Sequence, residues 1–401
     1  MSARNLNALS YLGRPAFRHD RPDATGVVLV NLGTPEAPTT GAVRHYLREF
    51  LSDPRVVEVP RLLWWPILHG FILRTRPRRS ARAYQAVWTP EGSPLLHLSR
   101  GLASRVGRAL GTDDSGGRLL VRVAMRYGPP SIPTVLRELQ DLGLRRLLVL
   151  PLYPQYSATT TASVFDAVFA ELRTWRWVPE VRTIADYFHD PAHLDLLAAR
   201  IRAHREAHGD ADRLLFSFHG IPERFFRDGD PYFCQCQATA REVARRLGLP
   251  RDRWLVSFQS RVGREPWLKP YTDETLANWP RQGVKSVQVV CPGFAVDCLE
   301  TIEEIGDENR ERFLHAGGER YEYIPALNAD DDHVHAIAGL LRRHLGGWEP
   351  MDGAAVARND DAAIGARSRR HDAMAQQIGE PAAHGHTQIH GPPGSPDRDP
   401  G

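Results

Sequence analysis

Lysine is almost missing. Of the 51 basic side chains in the 401-residue chain only Lys269 and Lys285 are lysine, and 48 acidic ones bring the net charge to +3. So small an excess argues against a dedicated nucleic-acid binder, which concentrates cation along one face. Cysteine is scarce too: Cys234, Cys236, Cys291 and Cys298 are too few and too unevenly spaced for a disulfide framework. Cys234-x-Cys236 lacks zinc-knuckle spacing and has no second pair. No apolar run approaches the roughly 20 residues of a membrane-spanning helix. The most apolar stretch, Val59–Leu73, is interrupted by Arg61, Pro66 and His69. Residues 1–25 contain no continuous apolar segment of the kind a secretory signal needs, so the cytoplasm is the expected compartment. G-x-x-x-x-G-K-[ST], G-x-G-x-x-G and G-x-S-x-G are all absent, which leaves nucleotide use and serine hydrolysis without their usual scaffolds.

What is present is alternation. Short apolar runs at 27–31, 119–125, 146–150, 181–185, 213–218, 253–258, 286–291 and 321–325 read as strands. Helical spacing of apolar residues predicts helices over 43–51, 98–110, 132–142, 160–172, 190–208, 238–247, 272–279, 297–313 and 331–345. Such order implies an α/β chain with parallel sheets covered by helices on both faces. The halves resemble each other. Val27–Pro35 aligns with Leu214–Pro222, each a strand followed by x-Gly-x-Pro, and Leu148–Pro151 aligns with Val289–Pro292. The expected organisation is two related lobes, 25–180 and 181–346, between an extension at 1–24 and a tail at 347–401. That tail is rich in Gly, Pro, Ala, Asp and His, with few large aliphatics to offset its ordering entropy, and is expected to be disordered.

In sheets of this kind ligands sit beyond the carboxyl ends of the strands, where strand order reverses. His219 follows a predicted strand directly and precedes Gly220. A neutral imidazole there can accept a proton or bind a metal, or simply bond to a turn. Asp297, Glu300 and Glu304 fall at i, i+3 and i+7 of a predicted helix, a carboxylate row able to pass a hard cation along. Acids in a first turn also suit the helix dipole without any such role. Arg126-Tyr127, Tyr153–Ser157 and Phe258–Arg261 with Trp267 offer aromatic faces and guanidinium groups to a flat ligand. Leu62–Leu73 with its two tryptophans, followed by Arg74, Arg76, Arg78 and Arg79, reads as a packed helix or as a greasy lip touching a membrane surface over 62–79.

Together these segments resemble ferrochelatases. The resemblance lies in Val30–Pro35, Glu91–Pro94, Met125–Gly128, Leu152–Ser157, Ser217–Pro222, Gly229–Tyr232, Phe258–Arg261, Trp267–Pro270, Cys291–Phe294 and Asp297–Thr301, in family order over about residues 26–346. It implies two Rossmann-like lobes with a cleft between them, of chelatase type. It also implies a lyase that inserts Fe2+ into protoporphyrin IX to form protohaem. It makes His219 and Glu300 the catalytic and iron-site pair, Asp297 and Glu304 an acidic relay, and Leu32, Arg126, Tyr127, Tyr156 and Trp267 the porphyrin-binding residues. Which of His219 and Glu300 takes the proton, and the oligomeric state, stay open. No cofactor beyond the iron substrate is expected, and no iron–sulfur cluster, because the tail has no cysteine. A chelatase for another tetrapyrrole and a non-catalytic porphyrin carrier are the rival readings. Deleting residues 350–401 is expected to leave metal insertion intact, as an assay of the truncated chain would show.

Overall fold

The computed structural model describes residues 23–111, 119–263 and 265–348, with five residues between 365 and 373. Most of the expected extension and tail therefore lies outside the described residues. The first half contains β1 (Ala24–Gly33), α1 (Thr40–Leu51), α2 (Arg61–Ile67), α3 (Leu73–Val87), α4 (Pro94–Ala109), β2 (Leu119–Tyr127), α5 (Ile132–Asp141), β3 (Leu144–Pro151), α6 (Ser163–Leu172) and β4 (Glu180–Thr183). The second contains α7 (Pro191–His208), β5 (Arg213–His219), α8 (Glu223–Arg227), α9 (Tyr232–Arg246), β6 (Trp254–Gln259), α10 (Thr272–Asn278), β7 (Ser286–Val290), α11 (Asn309–His315), β8 (Arg320–Ile324) and α12 (Asp331–Leu345).

All strand pairings in the two sheets are parallel, and the sheets have the same plan: β2-β1-β3-β4 and β6-β5-β7-β8. The strands paired by the internal repeat, β1 with β5 and β3 with β7, occupy equivalent places. Both sheets are covered on both faces. Val27 and Leu29 pack with Leu102 and Val106 of α4, while Val28 and Val30 pack with Leu136 of α5 and Val168 of α6. In the second sheet Leu214, Phe216 and Phe218 meet α7 and α9, and Leu215 meets α10 and α11. Every strand then needs apolar residues on both sides, which is why the sequence showed continuous runs rather than alternation.

Three features depart from the expected boundaries. Strand β4 extends to Thr183 and belongs to the first sheet, so the first lobe runs past residue 180. Helix α12 crosses back, with Val334, Ile337 and Leu341 buried beside Val27 and Leu102 of the first lobe. The residues just beyond 346 are not all tail: Trp348 is buried, donates to Glu180 Oε1 at 2.6 Å, and its carbonyl accepts from Arg146 at 2.5 Å. The described residues from 23 to 348 consequently belong to one compact unit. Helical spacing cannot reveal which sheet a helix covers, because that is fixed by chain path.

Helices α7 and α12 bury His193 and His333. Asn328 O lies 2.6 Å from His333 Nδ1, while neither nitrogen of His193 has a partner among the described residues. Burial pushes His193 down to about 3, with His333 adding to the effect, and pushes His333 down to about 4. Below pH 6.5 the unfolded chain therefore binds more protons than the native state, and stability declines as the pH falls toward these values. Each ring is expected to cost about 2 kcal/mol between pH 6.5 and pH 5. Thermal melts across that range should fall less steeply in His193→Leu, and an unchanged slope would contradict this account.

Candidate active site

β5 is wholly buried from Leu214 to Phe218 and ends on half-buried His219. His219 Nδ1 lies 2.7 Å from the carbonyl oxygen of Gly220. A carbonyl only accepts, so Nδ1 carries a proton, and in the neutral ring the lone pair is on Nε2. Gly220 is required by crowding: a Cβ there would stand 2.9 Å from Gln259 O and 3.0 Å from the Trp267 ring. The absence of a side chain lets Trp267 lie directly against the turn that holds His219, and the Trp267 indole nitrogen is buried without a partner among the described residues.

The acidic segment is a π-helix over Glu300–Glu308, followed by α11, where an α-helix over 297–313 was expected. Its wider turn replaces the i, i+3, i+7 row with an i, i+4 pair, Glu300 with Glu304. Side chains stabilise the wide turn. Asn309 Nδ2 donates to Glu304 O at 2.8 Å, and the Tyr321 hydroxyl donates to Ile305 O at 2.7 Å. The helix is tied to the end of β6. Gln259 Nε2 donates to Glu300 O at 2.9 Å, Ser260 N donates to Glu304 Oε1 at 2.8 Å, and the Ser260 hydroxyl donates to Glu304 Oε2. Ser260 adopts φ +63°, a left-handed conformation uncommon for serine, in making both bonds to one carboxylate. Burial raises the Glu304 carboxyl above its usual range and Glu300 adds to this, opposed by the Ser260 bonds and by His219. The same carboxylate thus feels both His219 and Glu300.

The structure assigns Asp297 a different task from the relay of the sequence reading. It precedes the π-helix, is buried, and accepts from Thr301 Oγ1 at 2.8 Å, Tyr323 OH at 2.5 Å and Asn328 Nδ2 at 2.8 Å. With both oxygens occupied it anchors the loop. Tyr127 likewise departs from the porphyrin-lining expectation. It is fully buried, its hydroxyl donates to Asp53 Oδ2 at 2.7 Å, and Arg126 meets the same oxygen at 2.5 Å while lying over the Tyr127 ring. Burial is the largest influence on Asp53, yet the Ser163 and Tyr127 hydroxyls and Arg126 prevail and lower its pKa. Leu32 near the end of β1 and Tyr156 in the loop after β3 are half-buried. Tyr156 N donates to Gln235 Oε1 at 2.6 Å, and Gln155 Nε2 donates to Thr239 Oγ1 at 3.0 Å, so that edge is stitched to α9 of the other lobe.

Two neighbours of Glu300 had no role in the sequence reading. Tyr46 of α1 and Tyr84 of α3 belong to the first lobe and face Glu300 of the second. Burial, reinforced by the Glu300 carboxylate, holds the Tyr84 hydroxyl and the Cys298 thiol protonated; Tyr46 is raised by burial, then by Tyr84 and Glu300. Tyr46 sat in an ordinary apolar helical stripe, and nothing in its spacing pointed across to residue 300. Glu303 was passed over too. Burial, with Glu308, Glu304 and Asp307 beside it, pushes its carboxyl up to about 7, against the pull of Arg79. A carbon-13 titration of the glutamate carboxyls should show Glu303 with a midpoint near 7 that moves down in Glu308→Gln; a midpoint in the ordinary carboxylate range would contradict this.

The family model described as Ferrochelatase matches residues 24–345. A protein named Ferrochelatase from Idiomarina loihiensis is 55% identical over 344 residues, 86% of this chain and 94% of its own. One of the same name from Nitrosococcus oceani is 55% identical over 346 residues, 86% of this chain and 93% of its own. Among solved structures, that described as SirB from Bacillus subtilis with Fe3+ is 11% identical, covers 80% of this chain and 96% of its own, and superposes with a TM-score of 0.48. The family model over residues 24–345 and the two relatives at 55% identity establish that the chain belongs to the ferrochelatase family.

Proposed function

We infer that the protein inserts Fe2+ into protoporphyrin IX to form protohaem. The observation that carries the reading is the meeting of His219, at the carboxyl end of β5, with a glutamate-lined π-helix whose Glu304 is influenced by both His219 and Glu300. Insertion exchanges one divalent cation for two pyrrole protons, so the macrocycle core stays neutral and the iron keeps its oxidation state. The step needs a base, a path for a hard cation, and binding energy spent on bending a planar ring. Nδ1 of His219 is committed to Gly220 O, which leaves Nε2 to take a pyrrole proton. Glu300 receives the iron or the departing proton. Burial raises the carboxyls of both Glu304 and Glu303, the latter to about 7, so Glu303 can exchange a proton near neutrality beside Glu304. Trp267 and Arg126 border the porphyrin, with Leu32 and Tyr156 at the opposing strand ends.

The reaction belongs to the cytoplasm, at a lipid surface that stores the apolar substrate. Leu62, Leu63, Ile67 and Phe71 are exposed on α2 and the turn after it, flanked by Arg61 and Arg74, which suits contact with lipid through residues 62–79. No helix among the described residues is long and apolar enough to cross a membrane.

An anaerobic assay with Fe2+ and protoporphyrin, read in the Soret band, tests the assignment, and parallel reactions with coproporphyrin and sirohydrochlorin test the choice of ring. His219→Ala is expected to abolish insertion while porphyrin still binds. Glu300→Gln should slow it by a factor of about 100 or more, the scale of one positioned acid–base group. A wild-type protein that binds porphyrin and inserts nothing would make it a carrier.

A further inference from the structure

A second basin lies on the opposite side of α1 from Tyr46. Between the outer faces of α1 and α3 is a groove of about 500 Å3, lined by Arg44, His45, Arg48, His69 and Arg74, with Leu73 at its floor. No acidic residue among the described ones lines it. Elsewhere arginines of this lysine-poor surface meet carboxylates, as in Arg55–Asp166, Arg122–Glu138 and Arg246–Asp195. Among the described residues Arg44, Arg48 and Arg74 meet none. Arg44 Nε donates to Leu73 O at 2.9 Å and Arg48 Nη2 lies 3.0 Å from His45 Nδ1, bonds that orient the guanidinium groups without neutralising them. Glu49, the acid nearest in sequence, is turned away and accepts from Gly128 N at 2.9 Å. At the N-terminal end of α1, Gly41 leaves the groove wall open, since a Cβ there would meet nothing within 4 Å.

We propose that this groove binds a phosphate group carried by an anionic lipid. Converging guanidinium forks match phosphate oxygens bidentately, and a doubly bonded anion relieves their mutual repulsion. The lipid source follows from the neighbour. His69 stacks on Trp65 at 4.7 Å, which joins the groove to the exposed Leu62, Leu63 and Phe71. A basic groove beside an exposed apolar helix is the arrangement of a protein that rests on a charged membrane surface. The site takes no part in iron insertion. It rests on the lipid-contact reading only for the source of its phosphate, and it adds a preference for anionic lipid that the apolar helix cannot supply.

The test is flotation of the full chain with vesicles of phosphatidylcholine alone or mixed with phosphatidylglycerol. Wild type should bind the mixed vesicles at least tenfold more strongly. The double variant Arg44→Gln, Arg48→Gln should lose about tenfold of that preference, the scale of two basic groups at an anionic surface, while keeping its insertion rate. Inorganic phosphate, followed by phosphorus NMR, should bind wild type and not this variant. A preference for phosphatidylglycerol that survives in the double variant overturns the proposal, as does wild type that binds neither phosphate nor the mixed vesicles. Phosphate binding with no vesicle preference overturns the lipid source. Because the insertion assay is separate, failure here leaves the iron-insertion reading standing, and the reverse also holds.

Discussion

The acidic face depends on the two bonds from Ser260 to the Glu304 carboxylate. They join the end of β6 to the π-helix, and through Gln259 the same strand end also holds the backbone of Glu300. Gln259 accepts in turn from Ser217 Oγ at 2.7 Å inside the sheet, so a buried polar chain runs from the second core to the acidic face. Without that tether a π-helix has little reason to persist, because its hydrogen-bond geometry is poorer than that of an α-helix and it survives mainly where neighbours hold it. Serine at φ +63° is the local cost of placing two donors on one carboxylate.

Carboxylates in this structure divide by what surrounds them. Asp297 and Asp53 each collect several donors and act as anchors, one for the loop ahead of the π-helix and one for Arg126 and Tyr127. Glu303 and Glu304 are short of donors relative to their burial, so their protonated forms are favoured. Asp297 lies within a few residues of Glu303 and Glu304 in sequence, yet it collects three side-chain donors while burial dominates at the two glutamates.

The first lobe contributes its own two faces through α1. Inward, Tyr46 approaches Glu300; outward, Arg44 and Arg48 border the basic groove. A helix of 12 residues thus separates the chemistry from a surface of opposite electrostatic character. The exposed apolar residues of α2 and the turn after it lie beside that groove, joined to it by the stack of Trp65 on His69.

The alternation of strands and helices, the twofold repeat and the position of His219 were legible in the sequence, because continuous apolar runs and glycine–proline turns are imposed locally by a doubly covered parallel sheet. The motifs that carry the family resemblance named Glu300 and Trp267 as well. Tertiary structure alone decided the rest. Spacing over 297–313 fits an α-helix, and only donors from Asn309, Tyr321 and Ser260 select the wider turn that aligns Glu300 with Glu304. Asp297 and Tyr127 are indistinguishable in sequence from exposed site residues. Their burial depends on Tyr323, Asn328 and Asp53, partners brought in from 26, 31 and 74 positions away. The return of α12 to the first lobe is a matter of chain path, to which helical periodicity is blind.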